Sequence, residues 1–146
     1  MIRIEMRRTS GNYGFEVKDN MGHLLQTDSS TENGGDDKGF RPMQLMLAAL
    51  GSCSAIDVVS ILKKQKQNIT GLKLIIEGER EQDLIPSLWK TIQVNFHFSG
   101  EIDDDKAKRA VELSIEKYCS VAETLRRAGA AISYKVERVS ASNSAT

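Results

Sequence analysis

With 146 residues, 40% of them hydrophobic and 27% charged, the chain has room for one compact core and the composition of an ordinary globular protein. Lys plus Arg total 20 and Asp plus Glu total 20, so no net field draws it to nucleic acid or to an anionic membrane. Cys53, Cys119, His23 and His97 are its whole supply of thiols and imidazoles, which turns attention to a single redox pair.

The opening MIRIEMRRTS is not followed by an apolar stretch of signal-peptide kind, and no run of about 18 apolar residues occurs. The expectation is a cytoplasmic protein without a membrane partner. In a reducing compartment two cysteines are free core thiols, a transient redox couple or metal ligands.

Residues 2–8 alternate Ile2, Ile4 and Met6 against Arg3, Glu5 and Arg7, the period of a strand with one buried face. Tyr13, Phe15 and Val17 repeat the pattern, Asp19, Asn20 and Gly22 supply a turn, and residues 23–27 return as a second arm. A small meander is predicted. Residues 28–39, DSSTENGGDDKG, are polar and aperiodic, a loop long enough to be mobile or to border a site. Pro42 then opens MQLMLAALGSCSAIDVVSILKKQKQ, a helix of about 25 residues begun by proline. From Met43 to Leu62 apolar or small residues surround its axis, which predicts burial on every side and a second subunit to supply the cover.

Residues 72–80 and 91–98 read as strands, the second with Ile92, Val94, Phe96 and Phe98 inward and His97 on the polar face. Leu84, Ile85, Pro86, Leu88 and Trp89 between them predict a hairpin loop that packs down. Asp103 and Asp104 suit a helix start, after which Ala107, Val111, Ile115 and Tyr118 form one stripe that Cys119 extends. Ser120 and Glu123 have capping-box spacing for a short helix over residues 121–128 that Gly129 ends. Residues 132–139 alternate as a last strand, and the SASNSAT tail reads as frayed. Without repeats or linkers, residues 1–146 are expected to form a single α+β domain.

Cys53 lies among Gly51, Ser52 and Ser54, small neighbours that let a substrate atom approach a thiol, although a small buried core residue is the plainer reading. Gly51 costs a helix interior roughly 1 kcal/mol relative to alanine, which implies close packing or access there. Asp57, one turn after Cys53, opposes thiolate formation unless it is paired elsewhere. Cys119 stands between the carbonyl end of one helix and the amide end of the next, so the sign of its perturbation is open. Zinc held by Cys53, Cys119, His23 and His97 lacks the short local spacings of structural sites. Arg7-Arg8 and Arg126-Arg127 read as solvated faces. No G-x-S-x-G, H-E-x-x-H or Walker loop occurs.

At GFRPMQLMLAALGSCSAIDVVSILKK, joined further along to EKYCSVAETL, the sequence resembles the OsmC/Ohr family of thiol-dependent peroxidases over nearly its whole length. The resemblance implies an intertwined α+β homodimer with the long helices central and the sites at the subunit interface. It implies Cys53 as the peroxidatic thiol and Cys119 as the resolving one, no bound metal or flavin, and an external dithiol, dihydrolipoyl or small-molecule, as reductant. In the family's characterised peroxidases a Pro-Glu-Glu/Gln-Leu segment opens the helix and its first glutamate pairs with an arginine. Here that segment is Pro42-Met43-Gln44-Leu45, and the loop offers Lys38 and Arg41. Arg41, Gln44 and Asp57 are therefore the auxiliary candidates, in the manner of the OsmC-like branch. Two functions follow from the resemblance: a reductase of organic hydroperoxides, or a non-catalytic or redox-sensing module that binds a small apolar ligand on the same scaffold.

Overall fold

The computed structural model describes residues 1–140; the SASNSAT tail lies outside the described residues except for Ser140. The chain divides into two compact units, Met1–Met46 and Leu47–Thr146. In the first, β1 (Ile4–Ser10), β2 (Gly14–Asp19) and β3 (Leu24–Thr27) form the predicted antiparallel meander. Every residue of β1 is exposed, contrary to the expected buried face, with Ile4 55% and Met6 58% accessible. The loop after β3 is wound on one buried carboxylate. Asp28 accepts the backbone N–H groups of Ser29, Asp36 and Lys38, and the Lys38 amide leads the causes that hold it below the ordinary carboxylate range.

α1 (Pro42–Lys64) is the long helix, and its first turn carries no acidic residue. By length and composition alone it could cross a bilayer. In the second unit β4 (Asn68–Arg80) pairs antiparallel with β5 (Trp89–Glu101), which pairs parallel with β6 (Ala131–Arg138). The parallel pair needs a crossover, and α2 (Asp104–Leu113) and α3 (Ser120–Arg127) supply it. β5 buries Ile92, Val94, Phe96 and Phe98 in register with its alternation, alongside Ala107, Ala110 and Val111 of α2 and Ala122 and Leu125 of α3.

Burial of α1 is narrower than its sequence predicts. Leu50, Gly51, Ser54, Val58 and Leu62 make a buried stripe at helical spacing, whereas Ile56 is 65% exposed and Val59 39%. One chain offers a single surface for the helix to pack on, so an all-round apolar helix keeps bare faces. Gly51 is explained by that packing: a Cβ there would stand 2.7 Å from Ile76 Cδ1 of β4. The connection between β4 and β5 also departs from expectation. Trp89 is buried, against Gly78 of β4, but Leu84, Ile85 and Leu88 remain exposed, so the loop does not pack down.

Opposite Ile69, where β4 slips register, Gly100 adopts φ +119°, and a Cβ would collide with the Asn68 carbonyl oxygen. Replacement Gly100→Ala is expected to destabilise the fold by about 1–3 kcal/mol, since it adds backbone strain to a collision that only backbone movement relieves. Urea unfolding at matched protein concentration checks this, and an unchanged midpoint contradicts it.

Candidate functional site

The site is built where α1 meets the end of α2. The Ala107, Val111, Ile115 stripe predicts Tyr118 on the inside, but the backbone widens after Leu113 into a π-helical turn, Ser114–Tyr118, closed by the Cys119 N–H on the Ser114 carbonyl at 2.8 Å. The wider turn swings Tyr118 out to 52% exposure and brings Cys119 inward to 3%. Arg126 is not a free surface charge. It donates to the Ile115 carbonyl at 2.9 Å and pairs with Glu123 at 2.9 Å, tying the π turn to α3.

Cys119 itself caps α3. Its sulfur accepts the Ala122 N–H at 3.4 Å, so the Ser120/Glu123 capping box does not form; α3 begins one residue earlier than expected and Glu123 turns to Arg126 and Arg127. Gly129 ends the helix as predicted, at φ +103°.

Ser114 carries the junction between the elements. Fully buried at the end of the α2 stripe, its hydroxyl donates to Asp57 Oδ2 at 3.0 Å, with the Ser54 carbonyl at 3.3 Å. Asp57 thus has the partner that its place beside Cys53 called for. Ser114 was marked by no motif; its only sequence signal is a polar residue on a buried helical stripe, three after Val111.

The result is a cluster in which the sulfurs of Cys53 and Cys119 and a carboxylate oxygen of Asp57 all lie within 4.8 Å of one another. Both thiols are free, Cys53 half-buried and Cys119 buried. The sign left open for Cys119 is now decided: burial first, then its hydrogen bond to Cys53, push its thiol up to about 11 against the lowering effect of the Ala122 amide. Beside Asp57 opens a shallow cleft of about 560 Å³, bordered by Ser60, Ile61, Leu113 and Tyr118.

The other candidates are placed as follows. Arg41 and Gln44 belong to the first unit, where Gln44 Oε1 accepts the Arg41 N–H at 3.0 Å and the Arg41 guanidinium pairs with Asp37 at 3.0 Å. His23 pairs with Asp19 at 2.7 Å in the meander. His97 faces Glu137 of β6 at 3.3 Å. Neither histidine belongs to the thiol cluster, so the four-residue zinc set conceivable from composition is not assembled; Asp57 is the third donor instead.

The profile of the family described as OsmC-like protein matches residues 35–135. Protein YhfA of Escherichia coli strain K12 is 41% identical over 108 residues, covering 73% of this chain and 77% of that protein. A hypothetical protein from Aquifex aeolicus VF5 superposes with a TM-score of 0.78 at 30% identity, over 95% of this chain and 98% of that one. An organic hydroperoxide resistance protein OsmC from Legionella pneumophila shares the fold, with a TM-score of 0.71 at 16% identity over 94% and 96% of the two chains.

The two thiols are expected to alkylate unequally. At pH 8 only about one Cys119 in a thousand is a thiolate if it ionises near 11, and its sulfur is covered, so iodoacetamide should label Cys53 first. Labelling of Cys119 should rise with pH and still be increasing at pH 9–10, as peptide mass spectrometry resolved in time will show; equal rates at pH 8 contradict the arrangement.

Proposed function

The chain belongs to the OsmC-like family, and on that premise we propose that it reduces organic hydroperoxides with Cys53 as attacking thiol and Cys119 as resolving thiol. The observation that carries the reading is the approach of the two sulfurs to within 4.8 Å, sixty-six positions apart in sequence by their numbers, 119 less 53. The difference between their environments gives them different tasks. Cys53 is the more accessible, and Cys119 keeps its proton.

In the first step the Cys53 thiolate attacks the O–O bond. Two electrons pass from sulfur to the peroxide, the alkoxide leaves and is protonated to alcohol, and Cys53 becomes a sulfenic acid. Two of the causes that hold the Cys119 proton, the hydrogen bond to Cys53 and the charge there, weaken at that moment. Cys119 then attacks the sulfenic sulfur; the departing hydroxide takes up the Cys119 proton as water, and a disulfide forms. An external dithiol, dihydrolipoyl or a small thiol, returns both cysteines by exchange, with its own oxidation to a disulfide balancing the electrons. In this reading the protein works in the cytoplasm, with no bound cofactor.

The working unit is proposed to be a homodimer, because Ile56 and Val59 of α1 and Ile75 of β4 are exposed apolar side chains that a second copy would cover. A non-catalytic or redox-sensing binding module is the competing reading, favoured by Met43 at the position of the family's glutamate and by Gln44 being engaged as a cap.

Stoichiometric cumene hydroperoxide should convert the reduced wild type to one intramolecular Cys53–Cys119 disulfide, seen by intact mass and non-reducing peptide mapping. Cys53→Ser should form none, and Cys119→Ser should yield a sulfenic acid trapped by dimedone. An unmodified Cys53 after peroxide sinks the catalytic reading and leaves the binding module. Sedimentation of the reduced protein at micromolar concentration is expected to give a dimer; a stable folded monomer overturns the assembly.

A further inference from the structure

We propose that the reduced site binds one thiophilic divalent cation, such as Zn²⁺, through Cys53 Sγ, Cys119 Sγ and Asp57, with the fourth coordination position open. Three observations carry this beyond the redox chemistry. First, the donor set is of the right kind: two thiolates and a carboxylate suit zinc, and they come from two separate elements that the fold has already brought together. In four-coordinate zinc, bonds of about 2.3 Å to sulfur and about 2.0–2.2 Å to oxygen put donor atoms about 3.5–3.8 Å apart, so donors now within 4.8 Å need a closure of only about 1 Å.

Second, the outer contacts that orient metal ligands are present. Ser114 Oγ holds Asp57 Oδ2 at 3.0 Å, which leaves the other carboxylate oxygen as a donor, and the Ala122 N–H points at the Cys119 sulfur at 3.4 Å. A carboxylate fixed by a buried hydroxyl and a sulfur fixed by a backbone amide lose little freedom on ligation. Third, the carboxylate side of the cluster meets an open surface, since Asp57 stands in the wall of the cleft of about 560 Å³ beside α1. On binding, the two thiols give up their protons to solvent and no electrons move.

The binding is independent of the peroxidase reading; its consequence, that the cation masks the thiols from oxidant, rests on it. A metal bridging both sulfurs occupies the lone pairs that attack peroxide and that form the disulfide. Zinc-loaded and oxidised forms are therefore mutually exclusive states of the same three residues.

Titration of the reduced, metal-free wild type with Co²⁺ should produce a sulfur-to-cobalt charge-transfer band in the near ultraviolet that saturates at one equivalent per chain and is displaced by Zn²⁺. Competition with a chromophoric chelator should show Zn²⁺ binding weakened about 10-fold or more by Ser114→Ala, on the scale of lost outer-shell contacts, and at least as much by Asp57→Asn. The band should vanish in Cys53→Ser. Absence of the band in the wild type, its survival in Cys53→Ser, or an unchanged affinity in Asp57→Asn overturns the site. Should a variant fail to fold, the wild type decides: Zn²⁺ must protect both cysteines from iodoacetamide, with EDTA restoring reactivity, and unprotected thiols overturn the proposal. Cumene hydroperoxide added to metal-free protein separates the two readings. Metal binding without disulfide formation defeats the peroxidase alone, and disulfide formation without metal binding defeats the metal site alone.

Discussion

A buried hydroxyl at the end of α2 holds the site together. Ser114 is shut off from bulk solvent, and its hydroxyl turns to protein acceptors, the Asp57 carboxylate and the Ser54 carbonyl of α1. Losing Asp57 takes the closer acceptor from a fully buried hydroxyl, at a cost of about 1–3 kcal/mol, whereas Asp57 itself borders the cleft. The same link fixes the spacing between α1, which carries Cys53, and the turn that carries Cys119. Because Ser114 is also the first residue of the π turn and its carbonyl takes the Cys119 N–H, one residue governs both the separation of the helices and the inward swing of the second thiol.

The π turn would be costly in isolation, because it breaks the regular ladder of α2. Its compensation is visible in Arg126, whose guanidinium reaches back to the Ile115 carbonyl, and in the N-terminus of α3, where the Cys119 sulfur takes the place of the usual oxygen cap. A thiol used as a cap is both structural and chemical. The amide that satisfies the helix end also steadies the sulfur, while burial and the neighbouring thiol act in the other direction and win, leaving Cys119 protonated at neutral pH. That balance makes the pair unequal although the two residues are of one type.

The scaffold around this junction is economical. β5, the central strand of its sheet, buries four alternating side chains under the crossover helices, and α1 packs a single stripe that needs Gly51 to sit close on Ile76. Met46, Ile56 and Val59 of α1 remain exposed in one chain. Exposed apolar area of this kind is what favours the proposed second copy along α1.

Much of the fold was legible from local pattern. Period-two alternation located the meander, β5 and β6; Pro42 and Asp103 marked helix starts and Gly129 a helix end, because these signals depend on neighbours a few residues apart. Cys53 stood out by its small neighbours and Asp57 by helical spacing. Tyr118 misled because the stripe assumed an ideal helix through Ser114–Tyr118, which the inserted π turn re-aims. The capping box misled because the Cys119 sulfur takes the Ala122 amide one residue earlier, and Arg126 because its partner, the Ile115 carbonyl, lies in the π turn. Ser114 carried no signal beyond being polar on an apolar stripe, since what makes it matter is a partner 57 positions away. The sequence by itself determined which residues could do thiol chemistry and the family to which they belong. Only the tertiary structure decided that Cys119 joins Cys53 and Asp57 in one site without either histidine, because its sulfur reaches α1 from a separate element through packing, which leaves no local spacing to read.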